Sequence, residues 1–285
     1  MKYLGVIIGQ GRQTLSPIFQ QAALDALRLD IVYEGWPTTP DGLVTRVKGM
    51  RSASVLGGNV TIPHKEPVIP LMDEIDGPAA QIGAVNTIVN RDGRLVGCNT
   101  DVEGFLRALR EDGGFDAAGK QAIVVGAGGS ARAVVLGLAQ AGAARVSVIN
   151  RTLTRAQALA GDLQPLAVHT VIEAFPASDE TWSSAAVDSV LLVSCVPGSD
   201  ETAALIPPSA LHNRMLIYDI AYSAHESPLI EAARQRGAAT LDGLPMLVYQ
   251  GAASFKLWTG SEPPLDIMFD AARTGLARQL EGASP

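Results

Sequence analysis

The fold is decided by a glycine-rich turn that reads Gly126-Ala127-Gly128-Gly129-Ser130-Ala131-Arg132 and directly follows the apolar run 122–125. A short apolar run entering such a turn is typical of a buried strand that passes into a helix, here predicted over Ala133–Ala141. The spacing matches the GxGxxA variant of the dinucleotide-binding turn. Backbone amides at the start of the helix would face a pyrophosphate. The sequence therefore predicts a dinucleotide site, with an ordinary strand-to-helix turn as the alternative.

The cofactor is predicted from the residues that end the next strand, Asn150-Arg151-Thr152. An NAD enzyme usually has Asp or Glu here to accept a hydrogen bond from the ribose 2′-hydroxyl, and this chain has neither. Arg155 would share a helix face with Arg151, and two arginines favour binding of a 2′-phosphate. The sequence therefore predicts NADP as the cofactor. The alternative is a pair of solvated arginines at a strand end.

Length and composition indicate a globular protein of two domains. The chain has 285 residues, of which 47% are hydrophobic and 18% charged. Such a chain can fill two cores of ordinary size and is unlike a disordered one. Its longest apolar runs fall short of the roughly 18 residues of a membrane span. The segment 1–9 contains glycines and lacks a cleavage site, so it predicts a first strand and not a signal peptide.

Charge and cysteine content argue against several kinds of site. A net charge of −7 lacks the basic patch of a nucleic-acid-binding protein. Cys98 and Cys195 are far apart, and the four histidines form no metal-binding pattern, so neither a disulfide nor a metal site is predicted. Cys195 is predicted as a small packed residue. We expect a cytoplasmic protein, monomeric or homodimeric, with a small-molecule substrate and no nucleic-acid or membrane partner.

The first domain is predicted as an α/β unit because short β-branched runs alternate with helical stretches. Ser16 is predicted as an N-cap, with Pro17 at the first helical position. Asp92-Gly93 is predicted as a hairpin turn. The predicted strands are Tyr3–Ile8, Ile31–Trp36, Ser54–Val60, Ala84–Asn90 and Arg94–Cys98.

The second domain is predicted from the apolar run at 122 to about Gly237, where strand and helix patterns alternate as in a parallel, doubly wound sheet of the Rossmann type. A helix over Val102–Arg110 precedes it. Helices over Leu244–Trp258 and Leu265–Leu280 are expected to pack back on the first domain, and residues 282–285 to be a disordered tail. We predict an N-terminal αβα substrate domain (1–101 with 242–285), an NADP domain (102–241) and a cleft between them.

Three polar clusters lie in the first domain, and we expect them to meet at the cleft. They are Gly58–Lys65, where a strand runs into a loop, then Gly83–Thr87 and Asn99–Asp101. Hydride transfer between an alcohol and a carbonyl needs a general acid/base, and a lysine held by a carboxylate can serve. Lys65 with Asp101 is the predicted pair.

Each member of this pair also has an ordinary interpretation. Taken alone, the spacing favours the ordinary interpretation of each residue, with Lys65 as a surface cation and Asp101 as an N-cap of the helix that follows it. His64, which is adjacent to Lys65, is a second candidate for the acid/base.

With these motifs assembled, the chain resembles the shikimate dehydrogenase family over nearly its whole length. Thr14-Leu15-Ser16-Pro17 is similar to the family's SxSP segment, which binds the substrate carboxylate, and 59–65 (NVTIPHK) is similar to its NVTxPxK segment. The AVNT and NTD segments, the NADP motifs and a last helix around Gln250 follow in the family's order. The resemblance implies reduction of 3-dehydroshikimate by NADPH, a step of aromatic amino acid biosynthesis.

The resemblance also implies roles for individual residues. Lys65 and Asp101 would be catalytic. The substrate would be bound by Thr14, Ser16, Thr61, Lys65, Asn86, Asp101, Tyr222 and Gln250. NADP would be bound by Gly126, Ala127, Gly128, Gly129, Ser130, Ala131, Asn150, Arg151, Thr152, Arg155, Val196 and Gly243.

The sequence departs from the family pattern at five places. Gln13 replaces a histidine, Thr14 a serine, Val102 a glycine and Ala224 a proline, and Ser194–Pro197 replaces Asn-Ala-Thr-Pro. The methyl group of Thr14 restricts its rotamers and narrows the carboxylate pocket. Together, the departures leave three outcomes open: a preference for quinate, a preference for an aminated analogue, or slow turnover of shikimate. A non-catalytic NADP-binding regulator is a further alternative, and the intact Lys65, Asp101 and Gln250 speak against it.

Overall fold

The computed structural model describes residues 1–196, 205–223 and 225–282. Ala224, one of the departures noted above, lies outside the described residues, as does Pro197, which ends the segment Ser194–Pro197. Of the predicted disordered tail, Gly282 ends a helix, and 283–285 lie outside the described residues.

The chain divides into two compact units, Met1–Gly104 with Leu247–Pro285 and Phe105–Met246. These bounds lie a few residues further along the chain than the predicted 101/102 and 241/242. The first division falls within a helix, so a local sequence pattern gives no signal for it.

The first unit contains a six-stranded sheet in the order β2-β1-β3-β5-β6-β4. Strand β5 runs antiparallel to β3 and β6, and the other neighbouring pairs are parallel. Its elements are β1 (Lys2–Gly9), α1 (Ser16–Ala26), β2 (Ile31–Thr38), α2 (Leu43–Gly49), β3 (Gly57–Val60), β4 (Glu74–Ile75), α3 (Gly77–Ile82), β5 (Thr87–Arg91) and β6 (Arg94–Cys98). Helix α4 (Asp101–Glu111) begins in this unit and continues into the second unit from Phe105.

The predicted N-cap at Ser16 is wrong by one residue. The carbonyl of Leu15 already accepts from the amides of Ile18 (3.0 Å) and Phe19 (3.3 Å), so Leu15 is the N-cap. The Ser16 hydroxyl forms a hydrogen bond with the Thr14 hydroxyl, at 3.0 Å between the oxygens. The pair of hydroxyls is thereby placed at the start of α1.

Two predicted strands are too long at their starts. Ser54–Leu56 forms a turn and an isolated bridge, and β3 begins at Gly57. The segment before β5 is irregular because the amide of Val85 donates to the carbonyl of Lys65 at 2.8 Å. This irregular start holds the segment of Lys65 beside Asn86. The predicted hairpin turn at Asp92-Gly93 is confirmed, with positive φ at both residues.

The second unit contains a six-stranded, all-parallel sheet in the order β12-β11-β10-β7-β8-β9. The strand order reverses between β7 and β10, which is the switch point of a doubly wound sheet. The Rossmann prediction is confirmed. Its elements are β7 (Gln121–Val125), α5 (Gly129–Gln140), β8 (Arg145–Asn150), α6 (Leu153–Leu163), β9 (Val171–Pro176), α7 (Asp179–Asp188), β10 (Ser189–Ser194), β11 (Leu216–Asp219), α8 (Pro228–Gln235) and β12 (Ala239–Leu241).

The two C-terminal helices, α9 (Leu244–Thr259) and α10 (Leu265–Gly282), belong to the first unit from Leu247 onward, as predicted. Helix α9 is joined to α1 by Gln20, whose Nε2 donates to the carbonyl of Gly251 at 2.8 Å. Helix α10 packs on α1 at Gly275, where a Cβ would lie 2.8 Å from Ile18 Cδ1. The helix carrying Gln250 is therefore fixed to the helix that begins at Ser16.

Each unit has its own apolar core. In the first, Ile7, Val60 and Ile88 from three strands are at most 1% exposed. In the second, Ile123 and Ile217 are fully buried in a separate cluster. Over the ranges that the structure describes, no helix is long and apolar enough to cross a bilayer.

Gly57 is required where α9 packs on the first sheet. Its φ is +150°, and a Cβ there would lie 2.1 Å from Ile88 O and 2.7 Å from Trp258 Nε1. The same indole nitrogen donates to Ile88 O at 2.9 Å. We expect Gly57→Ala to lower the free energy of unfolding by more than about 2 kcal/mol, because both backbone and helix must shift.

The measurement is urea denaturation followed by tryptophan fluorescence. Gly161→Ala is the matched control, because Gly161 is exposed in α6 and a Cβ there would have no atom within 4 Å. We expect the control to gain about 0.5–1 kcal/mol. Equal effects of the two substitutions would contradict the proposed close contact at Gly57.

Candidate active site

Four predicted side chains of the first unit form one hydrogen-bonded group. Lys65 Nζ donates to Asp101 Oδ2 at 2.6 Å. Asn86 Nδ2 donates to Asp101 Oδ1 at 2.7 Å and to Gln250 Oε1 at 3.3 Å. Each oxygen of the Asp101 carboxylate therefore accepts a hydrogen bond from a protein side chain, and one of the two donors is the Lys65 ammonium.

Burial of the ion pair decides between the interpretations of Lys65 and Asp101. The Lys65 side chain is 13% exposed and that of Asp101 is 5% exposed. Lys65 is therefore not a surface cation. The Asp101 carboxylate faces Lys65 and Asn86, while its backbone amide donates to Asn99 Oδ1 at 2.9 Å. The N-cap interpretation of Asp101 is thus wrong, because Asp101 is already the first residue of α4.

The orientation of the Asn86 amide follows from its neighbours. Asn86 Oδ1 accepts from the backbone amide of Thr100 at 2.8 Å. A backbone amide can only donate, so the oxygen of Asn86 must face Thr100 and the nitrogen must face Asp101. The Thr87 hydroxyl also donates to Asn86 Oδ1, at 2.8 Å. Asn86 therefore presents a fixed donor to the carboxylate.

The structure disfavours His64 as the acid/base. His64 is 1% exposed, and its Nε2 lies 2.9 Å from the carbonyl oxygen of Thr38. Since a carbonyl only accepts, Nε2 carries the proton in this contact. The His64 ring is packed in the interior, and its N–H donor is already bonded to Thr38.

The remaining predicted substrate residues of the first unit lie at element ends. The Thr14 and Ser16 hydroxyls are 3.0 Å apart at the start of α1. Thr61 directly follows β3, and its amide donates to Ile7 O at 2.9 Å. The Thr14–Ser16 pair is positioned by the start of α1, and Thr61 is positioned by the segment 61–65, which also carries Lys65.

The glycine-rich turn of the second unit has the geometry of a phosphate-binding turn. Gly126 has φ +112°, and a Cβ there would lie 3.3 Å from the backbone of Cys195. Gly128 is the N-cap of α5 and offers no side chain to the first-turn amides. Such amides, with the helix dipole, bind anions. The predicted residues Ala127, Gly129, Ser130 and Ala131 complete the turn and the first turn of α5.

The predicted 2′-phosphate residues lie at the end of β8. Asn150 Nδ2 donates to Thr152 O at 2.9 Å, which shapes the turn. Thr152 is the N-cap of α6, but its hydroxyl makes no capping hydrogen bond. Arg151 and Arg155 are exposed, the latter in the first turn of α6. These groups fit a dinucleotide that carries a negative charge at this strand end.

The other predicted residues of the second unit follow β10, β11 and β12. The amide of Cys195 donates to Val125 O at 2.8 Å, which places Val196 beside the glycine turn. Tyr222 is half-buried in the segment after β11. Gly243 packs against this segment, since a Cβ there would lie 2.0 Å from Ile220 O. All of them lie at the carboxyl edge of the parallel sheet, where ligands of such sheets bind.

Sequence reasoning missed several buried polar residues. Ser254 lies one helical turn after Gln250, so an i, i+4 spacing was the available signal. Asp219, which ends β11, is 1% exposed. Burial raises the pKa of the Asp219 carboxyl, while hydrogen bonds from Ser227, Ala221 and Ser194 oppose the rise. Within the described part of the chain, no group of three His, Cys, Asp or Glu residues could hold a metal ion.

The fold and these side chains define a class of protein, the two-unit α/β dehydrogenases with a doubly wound nucleotide-binding sheet. Three family models match the chain. They describe a shikimate dehydrogenase substrate binding domain (residues 7–88), shikimate/quinate 5-dehydrogenase (109–194) and a shikimate 5′-dehydrogenase C-terminal domain (243–273). The chain belongs to the shikimate dehydrogenase family.

Relatives and solved structures agree with this family. The chain is 40% identical over 282 residues to shikimate dehydrogenase (NADP(+)) of Symbiobacterium thermophilum, covering 98% of this chain and 96% of the relative. It is similar to shikimate 5-dehydrogenase of Thermus thermophilus in complex with NADP(H) and shikimate, with a TM-score of 0.83, 36% identity and 97% and 100% of the two chains covered. It is also similar to quinate dehydrogenase of Corynebacterium glutamicum in complex with NAD, with a TM-score of 0.86 and 30% identity, covering 96% of this chain and 98% of the other.

Proposed function

We propose that this chain reversibly reduces 3-dehydroshikimate to shikimate with NADPH. The observation that carries the proposal is the buried Lys65–Asp101 pair, at 2.6 Å, in which Asn86 donates to Asp101 and also to Gln250. Relatives named NADP(+)-dependent shikimate dehydrogenases support the substrate and the cofactor. We assign substrate binding to 1–101 with 242–285, and NADP binding to 102–241.

Lys65 is the proposed general acid/base. When the substrate carbonyl is reduced, its oxygen gains negative charge and needs a proton, which the Lys65 ammonium would donate. In the reverse direction, the Lys65 amine accepts the proton of the hydroxyl. Asp101 orients Lys65 through the 2.6 Å hydrogen bond. The nicotinamide supplies or accepts the hydride when NADP is bound.

The other polar groups hold the substrate. The Thr14 and Ser16 hydroxyls are hydrogen-bonded to each other at 3.0 Å in this structure. On binding a substrate carboxylate they would exchange this bond for two, each hydroxyl donating its single proton to the carboxylate. Asn86, Gln250, Thr61 and Tyr222 are assigned to the hydroxyl groups of the ring. The first-unit groups suit the carboxylate and the hydroxyl groups of a hydroxylated cyclic carboxylate.

NADP is assigned to the glycine turn and the strand ends of the second unit. The α5 amides would face the pyrophosphate, and Arg151 with Arg155 the 2′-phosphate. We expect Arg151→Ala to raise the KM for NADP+ by about 10- to 100-fold, the equivalent of one lost charge-assisted hydrogen bond. The KM for NAD+ should be nearly unchanged.

The measurement is steady-state kinetics with both cofactors, and Arg236→Ala is the control because Arg236 is an exposed arginine at the end of α8. Equal losses for NADP+ and NAD+ in Arg151→Ala would contradict the assignment of the 2′-phosphate to this arginine.

Quinate is the second candidate substrate, favoured by the similarity to a quinate dehydrogenase. One extra group in a pocket changes discrimination by only about 1–3 kcal/mol unless it leaves a polar group unpaired. The test is oxidation of shikimate, quinate and an aminated analogue with NADP+ and NAD+. Absence of turnover with all of them would contradict the proposal and favour a non-catalytic NADP-binding regulator.

The cytoplasmic location and the monomeric or homodimeric state stay predictions.

A further inference from the structure

A buried chain of hydrogen bonds continues from Asn86 into the first unit. The Thr87 hydroxyl, which donates to Asn86 Oδ1, lies 2.8 Å from Ser254 Oγ. The Thr100 hydroxyl lies 3.1 Å from the same Ser254 oxygen. Thr87 and Ser254 are 0% exposed, and Asn86 and Thr100 are at most 5% exposed. Three hydroxyls and one amide therefore form a cluster without bulk solvent.

Asn59 and Tyr33 extend this cluster. Asn59 Nδ2 donates to Ser254 Oγ at 3.0 Å and to the backbone carbonyl of Asn86 at 3.2 Å. Because that carbonyl can only accept, the nitrogen of Asn59 must face it. Asn59 Oδ1 then faces the Tyr33 hydroxyl, which donates at 2.7 Å. Burial raises the pKa of the Tyr33 phenol well above its ordinary value, so the donor keeps its proton.

The cluster also holds α9. Ser254 Oγ has one proton for two acceptors, the Thr87 oxygen and the carbonyl of Gln250, which lies 2.9 Å away and one turn earlier in the helix. Gln250 Oε1 in turn accepts from Asn86 Nδ2 at 3.3 Å. Asn86 is thus held by a backbone amide on one side and by the hydroxyl cluster on the other. In a low-dielectric interior, an unpaired member of such a cluster is costly, which favours one arrangement.

We propose that Tyr33, Asn59 and Ser254 are positioning residues, which hold Asn86 so that it keeps the Asp101 carboxylate aimed at Lys65. They touch none of the reacting groups and act through Asn86. This inference rests on the proposed function, since Asp101 and Lys65 matter here as the acid/base pair.

Two variants test the inference by removing single hydroxyls. Tyr33→Phe keeps the ring beside Trp258, where the ring centroids are 6.1 Å apart. Ser254→Ala removes the oxygen shared by Asn59, Thr87 and Thr100. For each variant, we expect kcat for shikimate oxidation to fall roughly tenfold, because small misplacements of catalytic groups slow the chemical step. The KM for NADP+ should be unchanged.

A kinetic isotope effect separates positioning from mere stability. With shikimate deuterated at the carbon that gives up the hydride, the isotope effect on kcat should increase in both variants, because a slower chemical step limits the rate more than product release does. A purely structural residue would lower the melting temperature and leave both kcat and the isotope effect at wild-type values.

The controls match each substitution. Tyr3→Phe removes an exposed hydroxyl that lies 3.4 Å from a methionine sulfur. Ser183→Ala removes a hydroxyl that donates to Asp179 O at 2.8 Å, the same i−4 bond that Ser254 makes. Both controls should keep wild-type kinetics.

The outcomes distinguish this inference from the proposed function. An active wild type with unchanged kcat and isotope effect in both variants would overturn the inference alone. Absence of shikimate turnover in the wild type would overturn the proposed function and the inference with it. If Ser254→Ala does not fold, the isosteric Tyr33→Phe decides by the same two readouts.

Discussion

Replacing Lys65 with alanine is expected to lower kcat for shikimate oxidation by about 10²- to 10⁴-fold, the range that general acid/base catalysis contributes. In wild type the ammonium lies 2.6 Å from Asp101 Oδ2 with a side chain 13% exposed, so water has little access to replace it as proton carrier. The KM for NADP+ should be unchanged, because the nucleotide is assigned to the other unit. Steady-state kinetics measure kcat and the KM for NADP+, and a titration measures NADP+ binding directly.

Lys256→Ala is the matched control for Lys65→Ala. Lys256 also forms an ion pair, with Glu262, but its side chain is 56% exposed and it lies on α9, the helix of Gln250. We expect wild-type kcat in the control. Full kcat with normal NADP+ binding in Lys65→Ala would show that Lys65 is not the acid/base.

The parts of the molecule that local patterns determine could be predicted from sequence. The glycine turn at 126–131 requires a strand before it and a helix after it, and both are present. The Asp92-Gly93 turn fixed the pairing of Arg91 with Arg94. The missing carboxylate after β8 and the arginines there predicted NADP, which the named relatives support.

Other elements were missed because they carry weak local patterns. Strand β9 includes Glu173 and ends at Pro176, and β12 has only three residues. Their place in the sheet depends on pairing with β8 and β11, and a local stretch of sequence carries no information on such pairing. Tertiary pairing decides such short strands.

The buried cluster behind Asn86 could not be predicted for a related reason. Asn59 and Thr87 face each other only because β3 and β5 pair in one register. Ser254 joins them from a helix 195 positions away from Asn59 in the sequence. The Lys65–Asp101 pair was identified because each residue lies in a recognisable motif, whereas Tyr33 lies in an ordinary strand pattern.

Replacing Asp101 with asparagine is expected to impair both catalysis and stability. Asp101 Oδ2 accepts from Lys65 Nζ at 2.6 Å and Oδ1 accepts from Asn86 Nδ2 at 2.7 Å. The new amide nitrogen must face one of these donors, because Thr100 fixes the orientation of Asn86. Lys65 then loses its counter-charge while mostly buried. We expect a loss of about 3 kcal/mol in the free energy of unfolding and a fall in kcat of at least about 100-fold.

Asp270→Asn is the control for this substitution, since Asp270 pairs with Arg273 at 3.5 Å with 79% of its side chain exposed. The control should change stability by less than about 0.5 kcal/mol. A double variant, Lys65→Met with Asp101→Asn, removes the uncompensated cation and should recover part of the lost stability without recovering kcat. Recovery of neither stability nor activity would locate the damage in the packing around Asn86, and equal stability of Asp101→Asn and wild type would show that the ion pair does not hold this site together.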